Sequence, residues 1–258
     1  MRILVTNDDG INAPGLKVLA DIARGLSDDV WIVAPDNNQS GASHSLTLHE
    51  PLRCMEVAEK SFAVRGTPTD CVIMGVRHIL LNSPPDLILS GVNRGSNLAE
   101  DVTYSGTVAG AIEGSLLGIR SLALSQSIDY EAGEIHWDTP LAHAPDIVRR
   151  VLETDWNSSV LMNINFPALP PDEVKGVMVT VQGKRDQSLL HIDERFDTWK
   201  QPYYWFNFER RRSNPIEGTD LWAVYQGLIS VTPLTPNLTH LPATEVLNGV
   251  FKSKVSTT

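Results

Sequence analysis

The chain has 258 residues, 42% of them hydrophobic and 20% charged, and this ordinary globular composition excludes a largely disordered protein. Its net charge of −10 argues against duplex nucleic acid or an anionic membrane as the main partner, because both reward clustered Lys and Arg. A small phosphorylated ligand is compatible with this charge, since one bound cation supplies positive charge locally.

The two cysteines and the first residues of the sequence indicate the cellular compartment that we expect for this protein. The two cysteines, Cys54 and Cys71, lack CxxC spacing, so we expect no disulfide framework and a reducing environment. A strand begins at Ile3, which leaves no room for a signal peptide, and no apolar run approaches the roughly 18 residues of a membrane span. We therefore expect a cytoplasmic protein.

The first part of the chain alternates between short β-branched runs and amphipathic helical patterns. This alternation predicts an α/β fold built on a doubly wound, mostly parallel sheet. Strands are predicted at Arg2–Val5, Val30–Ala34, Ser61–Val64, Leu87–Ser90, Ser121–Ser125 and Val160–Ile164, and helices at Pro14–Leu26, Thr69–Leu81, Gly106–Leu117 and Pro140–Leu152.

Beyond about residue 170 the pattern changes. Strands are predicted at Val177–Val181 and Leu228–Val231, and a short helix at Val246–Phe251. The aromatic stretch Phe196–Arg212 has neither helical nor clean strand periodicity, and we interpret it as an arm or β-hairpin packed against another subunit. We therefore divide the chain into a core over residues 1–170, which carries the site, and residues 171–258, which hold C-terminal strands, an oligomerisation arm and a tail. This second part belongs either to the same domain or to an appendage.

Polar residues and glycines cluster directly after three of the predicted strands. In open α/β sheets, ligands bind beyond the carboxyl ends of the strands, so the site is expected where these segments meet. The three segments are Thr6–Gly10, Pro35–Gly41 and Ser90–Asn97.

The adjacent acids Asp8 and Asp9 are the main candidates for a metal site. Neighbouring side chains in a strand point to opposite faces, so both reach one ion only where the chain turns, as Gly10 allows. Their hard oxygens suit Mg²⁺, Mn²⁺ or Ca²⁺ better than Zn²⁺. The alternative is a solvated turn in which Asp9 caps the following helix, but two acids directly after a buried strand favour the metal.

The other loops are ambiguous by themselves. The loop from Asn37 to Ser45 is rich in serine and also fits a flexible surface loop, with His44 as its one notable histidine. Asn93 can offer a carbonyl oxygen to a metal or simply form a turn. The helix that opens after Tyr104 presents free N–H groups suited to a phosphate, although N-capping by Ser105 explains it equally well.

Several enzyme classes are excluded because their motifs are absent from the sequence. The chain contains no GxxxxGK[ST] phosphate loop and no GxGxxG after a strand, which removes support for kinase, NTPase and dinucleotide-binding functions. It also contains neither an HExxH motif nor a GxSxG nucleophile elbow.

The segment Ile3–Gly15, with the letters ILVTNDDGINAPG, resembles the opening signature of the SurE survival-protein family of 5'/3'-nucleotidases. The similarity extends over nearly the whole chain, and the order of its N-terminal segments makes it specific. The other similar segments are Ala34–Ala42, Gly66–Cys71, Ser90–Asn97, Tyr104–Glu113, Asn163–Pro167, Gly218–Asp220 and Ser230–Leu234.

This resemblance implies a Rossmann-like fold and one divalent cation per subunit, Mg²⁺ or Mn²⁺. It also implies homodimers or homotetramers that exchange C-terminal hairpins and tails. The implied metal ligands are Asp8, Asp9, Ser40 and Asn93, and the implied phosphate contacts are Asn97, Ser105, Gly106 and Thr107.

The expected function is a divalent-metal-dependent phosphatase that hydrolyses nucleoside 5'- and 3'-monophosphates. Asp8 and Asp9 are the expected catalytic residues. Water attacks phosphorus directly, with one aspartate assisting as a base, or an aspartate attacks and forms an aspartyl-phosphate. Two alternatives stay open: a sensor that binds metal and nucleotide without turnover, and a sugar-transferring enzyme, for which the sequence shows no donor site.

Overall fold

The computed structural model describes residues 1–129, 132–185, 190–208 and 214–251. Within these residues the strands form one large sheet and one separate hairpin. The strands are β1 (Arg2–Thr6), β2 (Asp29–Pro35), β3 (Cys54–Ala58), β4 (Ser61–Val64), β5 (Leu87–Arg94), β6 (Arg120–Gln126), β7 (Leu161–Phe166), β8 (Val177–Val179), β9 (Leu190–Phe196), β10 (Pro202–Phe208) and β11 (Ile229–Leu234).

The large sheet has nine strands in the order β3-β4-β2-β1-β5-β6-β7-β11-β8. Its centre, from β4 to β7, is parallel, while β3 and β11 run antiparallel to β4 and β7. The predicted mostly parallel α/β sheet is thus confirmed. From β1 the chain moves outward to β2 and β4, then returns to add β5, β6 and β7 on the other side. The strand order therefore reverses beside β1, where open α/β sheets form their binding crevice.

Helices cover both faces of the large sheet. Strand β1 illustrates why, since Ile3 and Val5 pack with one apolar cluster and Leu4 with the opposite one. The helices are α1 (Pro14–Arg24), α2 (Pro68–Met74), α3 (Gly106–Leu116), α4 (Asp138–Glu153), α5 (Asp220–Tyr225) and α6 (Leu241–Val250), with a 3₁₀ helix at Ala99–Thr103. Helices α1 and α4 lie together on the face of Ile3 and Val5, and α2 and α3 lie together on the opposite face.

Small residues bring α3 unusually close to the sheet. A Cβ atom at Gly110 would lie 2.8 Å from Ser90 Oγ, and one at Gly114 would lie 2.2 Å from Ser121 Oγ. The low side-chain volume of this helix thus determines how near its first turn comes to the carboxyl end of β1.

Strand β3 was not among the strands predicted with bounds, and two predicted elements of the first half differ from their expected course. Strand β5 was expected to end at Ser90 but continues to Arg94, because Gly91 adopts φ +133° and pairing with β6 resumes at Asn93. A Cβ at Gly91 would lie 2.2 Å from Leu124 O, so no other residue fits there. The helix expected over Thr69–Leu81 is α-helical only to Met74 and continues as a π-helical turn at Gly75–Ile79.

The C-terminal third contributes both to the large sheet and to a separate element. Strands β8 and β11 extend the large sheet beyond β7, and the expected strand Val177–Val181 stops at Val179. The aromatic stretch forms part of the antiparallel hairpin β9–β10, which confirms the hairpin; residues 209–212 of that stretch lie outside the described residues. Helix α6 is longer than predicted, and α5 was not predicted. The boundary at residue 170 and the contact of the hairpin with another subunit stay predictions.

In the part of the chain that the structure describes, no helix combines the length and the apolar character that crossing a bilayer requires.

Candidate active site

The turn after β1 directs two carboxylates away from the sheet. Gly10 has φ +102°, and Asn7 Nδ2 donates to Gly10 O at 3.0 Å. Helix α1 starts after Ala13, which provides no side-chain cap, so the alternative in which Asp9 caps this helix is wrong. The acids Asp8 and Asp9 therefore follow a buried strand without a capping role.

Asp8 is buried against the first turn of α3. Only 4% of the Asp8 surface is exposed to solvent, and Thr107 Oγ1 donates to Asp8 Oδ1 at 2.5 Å. A Cβ at Gly106 would lie 2.7 Å from Asp8 Cβ, so glycine is required at this contact. The pKa of Asp8 is raised from 3.8 to about 6, mainly by burial and also by the negative charge of Asp9, while hydrogen bonds from Thr107 oppose the shift.

Asp9 is half-buried and lies between two other loops. The backbone N–H of Arg94 donates to Asp9 Oδ2 at 3.2 Å, and Asn38 Nδ2 lies 3.5 Å from Asp9 Oδ1. Burial raises the pKa of Asp9, and the Arg94 backbone bond and side-chain charge act in the opposite direction.

The loop after β2 and the last residues of β5 bring the two remaining candidate metal ligands to the same edge. Gln39 N–H donates to Asp8 O at 2.7 Å, and the next residue, Ser40, donates its N–H to Asn38 Oδ1 at 2.7 Å. Asn93 directly precedes Arg94, and its Nδ2 donates to Gly95 O at 2.8 Å. The side-chain nitrogen of Asn93 is thus engaged, and its side-chain oxygen Oδ1 is the atom that could hold a cation.

This donor set fits a hard divalent cation. Among the described residues, no Lys, Arg or His forms an ion pair with Asp8 or Asp9, and the nearby charge of Arg94 acts on Asp9 without a direct contact between the charged groups. The same residues contain no group of three His, Cys, Asp or Glu placed to hold a metal. An ion here would depend on two carboxylates and neutral oxygens, a combination that suits Mg²⁺ or Mn²⁺.

Asn97 is fixed by a buried amide network at the ends of β6 and β7. Its N–H donates to Asn165 Oδ1 at 2.8 Å and its Nδ2 to Ser125 Oγ at 2.8 Å. Its carbonyl oxygen accepts from Asn163 Nδ2 at 2.8 Å and from Asn165 Nδ2 at 3.1 Å. Sequence reasoning missed these supporting residues, although the two asparagines stand two apart in β7 and so share one face of the strand.

The other predicted phosphate contacts form the start of α3. Ser105 Oγ accepts from Val108 N–H at 3.0 Å, which confirms the N-cap interpretation of this serine. Gly106 and Thr107 contact Asp8 as described above. The predicted phosphate-binding turn and the predicted metal-binding carboxylate are therefore direct neighbours.

Comparisons with known proteins establish the family of this chain. The family described as Survival protein SurE matches the chain over residues 3–189. This chain belongs to the SurE family. A Caulobacter vibrioides protein named 5'-nucleotidase SurE is 59% identical over 253 residues, which cover 97% of this chain and 96% of that protein. A protein of the same name from Parvibaculum lavamentivorans is 55% identical over 97% of this chain and 91% of its own length.

A solved structure supports the fold of this SurE-family chain. The crystal structure of SurE protein from Aquifex aeolicus superposes with a TM-score of 0.85 at 41% sequence identity. The match covers 97% of this chain and 99% of that one.

In this SurE-family chain the serine-rich loop is tied to α3, a connection that sequence reasoning missed. His44 Nε2 lies 2.9 Å from Glu113 Oε2, and Ser43 Oγ donates to Thr103 O at 2.7 Å. The Glu113 side chain is 11% exposed, so His44 provides a partner for a nearly buried carboxylate. The loop that carries Ser40 is therefore anchored and does not behave as the free surface loop that its composition suggested.

We expect His44→Ala to destabilise this loop. Removing the imidazole leaves Glu113 without this partner, which costs about 1–2 kcal/mol for a buried acceptor. Urea unfolding would measure the lost free energy, and limited proteolysis would detect opening of the loop. The matched control is His49→Ala, an exposed histidine of the same segment, and equal effects of the two variants would contradict the anchoring role.

Proposed function

We propose that this protein is a 5'-nucleotidase that hydrolyses nucleoside 5'- and 3'-monophosphates with one divalent cation, Mg²⁺ or Mn²⁺, per subunit. The observation that carries the proposal is the buried, uncompensated carboxylate of Asp8 in contact with the first turn of α3. Such a contact provides adjacent places for a cation and a phosphate. Relatives that are 55% and 59% identical and bear the name 5'-nucleotidase SurE support the same activity.

Asp8, Asp9, Ser40 and Asn93 are the residues proposed to hold the cation. Three separate strand ends supply them, so the site forms only in the folded sheet. When bound, the cation polarises the phosphate and makes water more acidic. The chain itself provides orientation, because Thr107 fixes the Asp8 carboxylate and Arg94 N–H fixes that of Asp9.

The different surroundings of the two aspartates suggest different roles. Both the burial of Asp8 and its bond from Thr107 favour a ligand that does not move. Asp9 is less buried, and its Oδ1 atom has only a long contact with Asn38, at 3.5 Å. We assign Asp9 Oδ1 as the atom that takes a proton from the attacking water. The start of α3, with Asn97 beside it, stabilises the phosphate oxygens.

The deciding assay measures phosphate release by chelator-treated protein. Nucleoside 5'- and 3'-monophosphates are supplied with and without Mg²⁺ or Mn²⁺. We expect turnover only with a cation. If the protein binds nucleotide but releases no phosphate with either cation, the protein is a sensor and not an enzyme.

The configuration at phosphorus distinguishes the two possible nucleophiles. With a nucleoside 5'-phosphorothioate made chiral by oxygen isotopes and hydrolysed in isotopically labelled water, direct attack by water inverts the configuration. Retention would instead establish a two-step aspartyl-phosphate route.

We also propose that the hairpin β9–β10 joins subunits into a homodimer or homotetramer. The strand register places Ile192, Phe196, Tyr204 and Phe206 on one face, and all four are exposed in the single chain. Glu194 lies on the same face and accepts from the Tyr204 hydroxyl at 3.2 Å. An exposed and mostly apolar face of this kind is typical of a protein interface. A second copy of the chain is the proposed partner.

Replacing Ile192 and Phe206 together by Asp is expected to shift the protein toward monomer. These residues pair directly across the hairpin, so the two charges would lie in the centre of the proposed interface. Sedimentation velocity measures the change. Arg195→Asp on the opposite face is the control, and a wild-type protein that is already monomeric would disprove the interface.

We place the protein in the cytoplasm and expect neither duplex nucleic acid nor membrane among its partners. Cys54 and Cys71 are both free thiols, which suits a reducing compartment. The net charge of −10 disfavours polyanionic partners.

A further inference from the structure

Asp220 is a fully buried carboxylate outside the proposed catalytic site. It is 0% exposed and lies at the first position of α5, within the segment Gly218–Asp220 that resembles a SurE-family signature. Its oxygens accept three backbone N–H groups: Oδ2 from Ala99 at 2.9 Å, and Oδ1 from Gly183 at 2.8 Å and from Leu221 at 2.7 Å. A buried carboxylate with three such donors joins three chain segments at one point.

The Ala99 bond reaches the turn that carries the proposed phosphate contacts. Ala99 has φ +52°, a left-handed conformation that is unfavourable for a residue with a Cβ. It follows Asn97 by two residues and begins the 3₁₀ helix that leads into Ser105. A strained backbone position of this kind persists only where its surroundings hold it, and Asp220 supplies one of the holding bonds.

Other contacts fasten the same turn to the C-terminal segment. Gln182 Nε2 donates to Ala99 O at 2.9 Å, so both backbone polar groups of Ala99 are held by residues from this segment. Arg185 binds the neighbouring acids, through its N–H to Glu100 Oε2 at 3.1 Å and through its guanidinium to Asp101 Oδ2 at 2.5 Å. Leu98 and Ala99 also pack against Leu221 and Val224 of α5.

The metal-binding side of the site is anchored differently. Asp8 and Asp9 extend from β1 and are held by Thr107, Arg94 and Asn38, whereas the hydrogen bonds described above for Asp220 go to Ala99, Gly183 and Leu221. A change at Asp220 therefore acts first on the turn from Asn97 to Ser105, and the bond of Thr107 to Asp8 stays in place.

We propose that Asp220 is a positioning residue. It holds the turn from Asn97 to Ser105 at the distance from the Asp8–Asp9 pair that binding of phosphate requires. This inference rests on the proposed nucleotidase function and assigns the C-terminal segment a part in it. Loss of the carboxylate weakens recognition of phosphate and leaves the dependence on cation unchanged.

The test is Asp220→Asn, which keeps the shape but replaces one acceptor oxygen by an NH₂ group that meets an N–H donor. We expect the KM for nucleoside 5'-monophosphate and the inhibition constant of inorganic phosphate each to rise about 10-fold, since small misplacements of binding groups have effects of this order or larger. The Mg²⁺ concentration that gives half-maximal activity stays at the wild-type value. Hydrogen exchange over residues 97–105 becomes faster.

Controls separate positioning from a general loss of stability. Glu217→Gln changes an exposed acid three residues away and is expected to leave every readout at the wild-type level. If Asp220→Asn fails to fold, Gln182→Leu removes the second bond to Ala99 and is expected to raise the same two constants by a smaller factor. A variant that is less stable but keeps wild-type KM and phosphate inhibition would overturn the inference.

A wild-type protein without phosphate release would refute the proposed function and not the positioning role. The dissociation constant of inorganic phosphate in the presence of Mg²⁺, measured by calorimetry, then decides the matter. A weaker constant in Asp220→Asn than in wild type supports the inference, and equal constants overturn it.

Discussion

Asp8→Asn is expected to lower kcat/KM for nucleoside 5'-monophosphates by at least about 10²-fold, even at saturating Mg²⁺ or Mn²⁺. Losing a partner outside the first coordination shell of a metal already costs 10–100-fold, so replacing a proposed ligand should cost more. The substitution is nearly isosteric and keeps an oxygen that can accept from Thr107. Steady-state phosphate release with increasing cation concentration measures the loss.

The matched control for this variant is Asp36→Asn. Asp36 follows β2 at the same edge of the sheet but is not among the proposed ligands. We expect this control to retain wild-type activity. An Asp8→Asn protein as active as the control would remove Asp8 from the catalytic site and with it the central argument for the proposed function.

The sheet and the place of the site were predictable because they depend on local patterns. Runs such as Ile3, Leu4 and Val5 are apolar on both faces and are typical of strands buried between two helical layers. Once the strands are located, the general rule for open α/β sheets places the site at their carboxyl ends. The predicted convergence of the loops after β1, β2 and β5 is what the contacts of Asp9 with Asn38 and Arg94 show.

The supporting contacts were not predictable because they join residues distant in the chain. His44 and Glu113 are 69 residues apart, and Asp220 and Ala99 are 121 apart. No periodicity or turn rule brings such pairs together. The left-handed backbone of Ala99 is also invisible in the sequence, since alanine ordinarily avoids it.

The predicted end of β5 was also wrong, because a glycine lies inside this strand and does not terminate it. The fourth predicted strand, Leu87–Ser90, stops directly before Gly91, yet the positive φ of this glycine lets β5 pass close to Leu124 and continue to Arg94. This continuation places Arg94 N–H at Asp9 Oδ2 and Asn93 beside it. A residue that normally terminates strands thus helps to build the site.

The same Asp8→Asn change is expected to stabilise the metal-free protein at pH 7 by about 2–3 kcal/mol. The pKa of Asp8 is raised from 3.8 to about 6 in the folded protein, and each pKa unit corresponds to about 1.4 kcal/mol. Because the folded state binds the proton of Asp8 more tightly than the unfolded state does, protonated Asp8 stabilises the fold, and this contribution is fully present below pH 4. The contribution is lost as the pH rises through about 6 and Asp8 ionises. The asparagine side chain stays neutral at every pH and therefore avoids this loss.

Urea unfolding of chelator-treated protein between pH 4 and pH 7 measures this effect. The difference in unfolding free energy between Asp8→Asn and wild type should grow with pH and level off above the folded pKa. A difference that does not change with pH would contradict the assignment of a raised pKa to Asp8. Adding Mg²⁺ should stabilise wild type more than the variant, because a bound cation compensates the buried charge that the variant no longer has. A residue that lowers the stability of the empty protein yet is needed for its activity is retained for function, and this pair of opposite effects would separate Asp8 from the acids that serve only the fold.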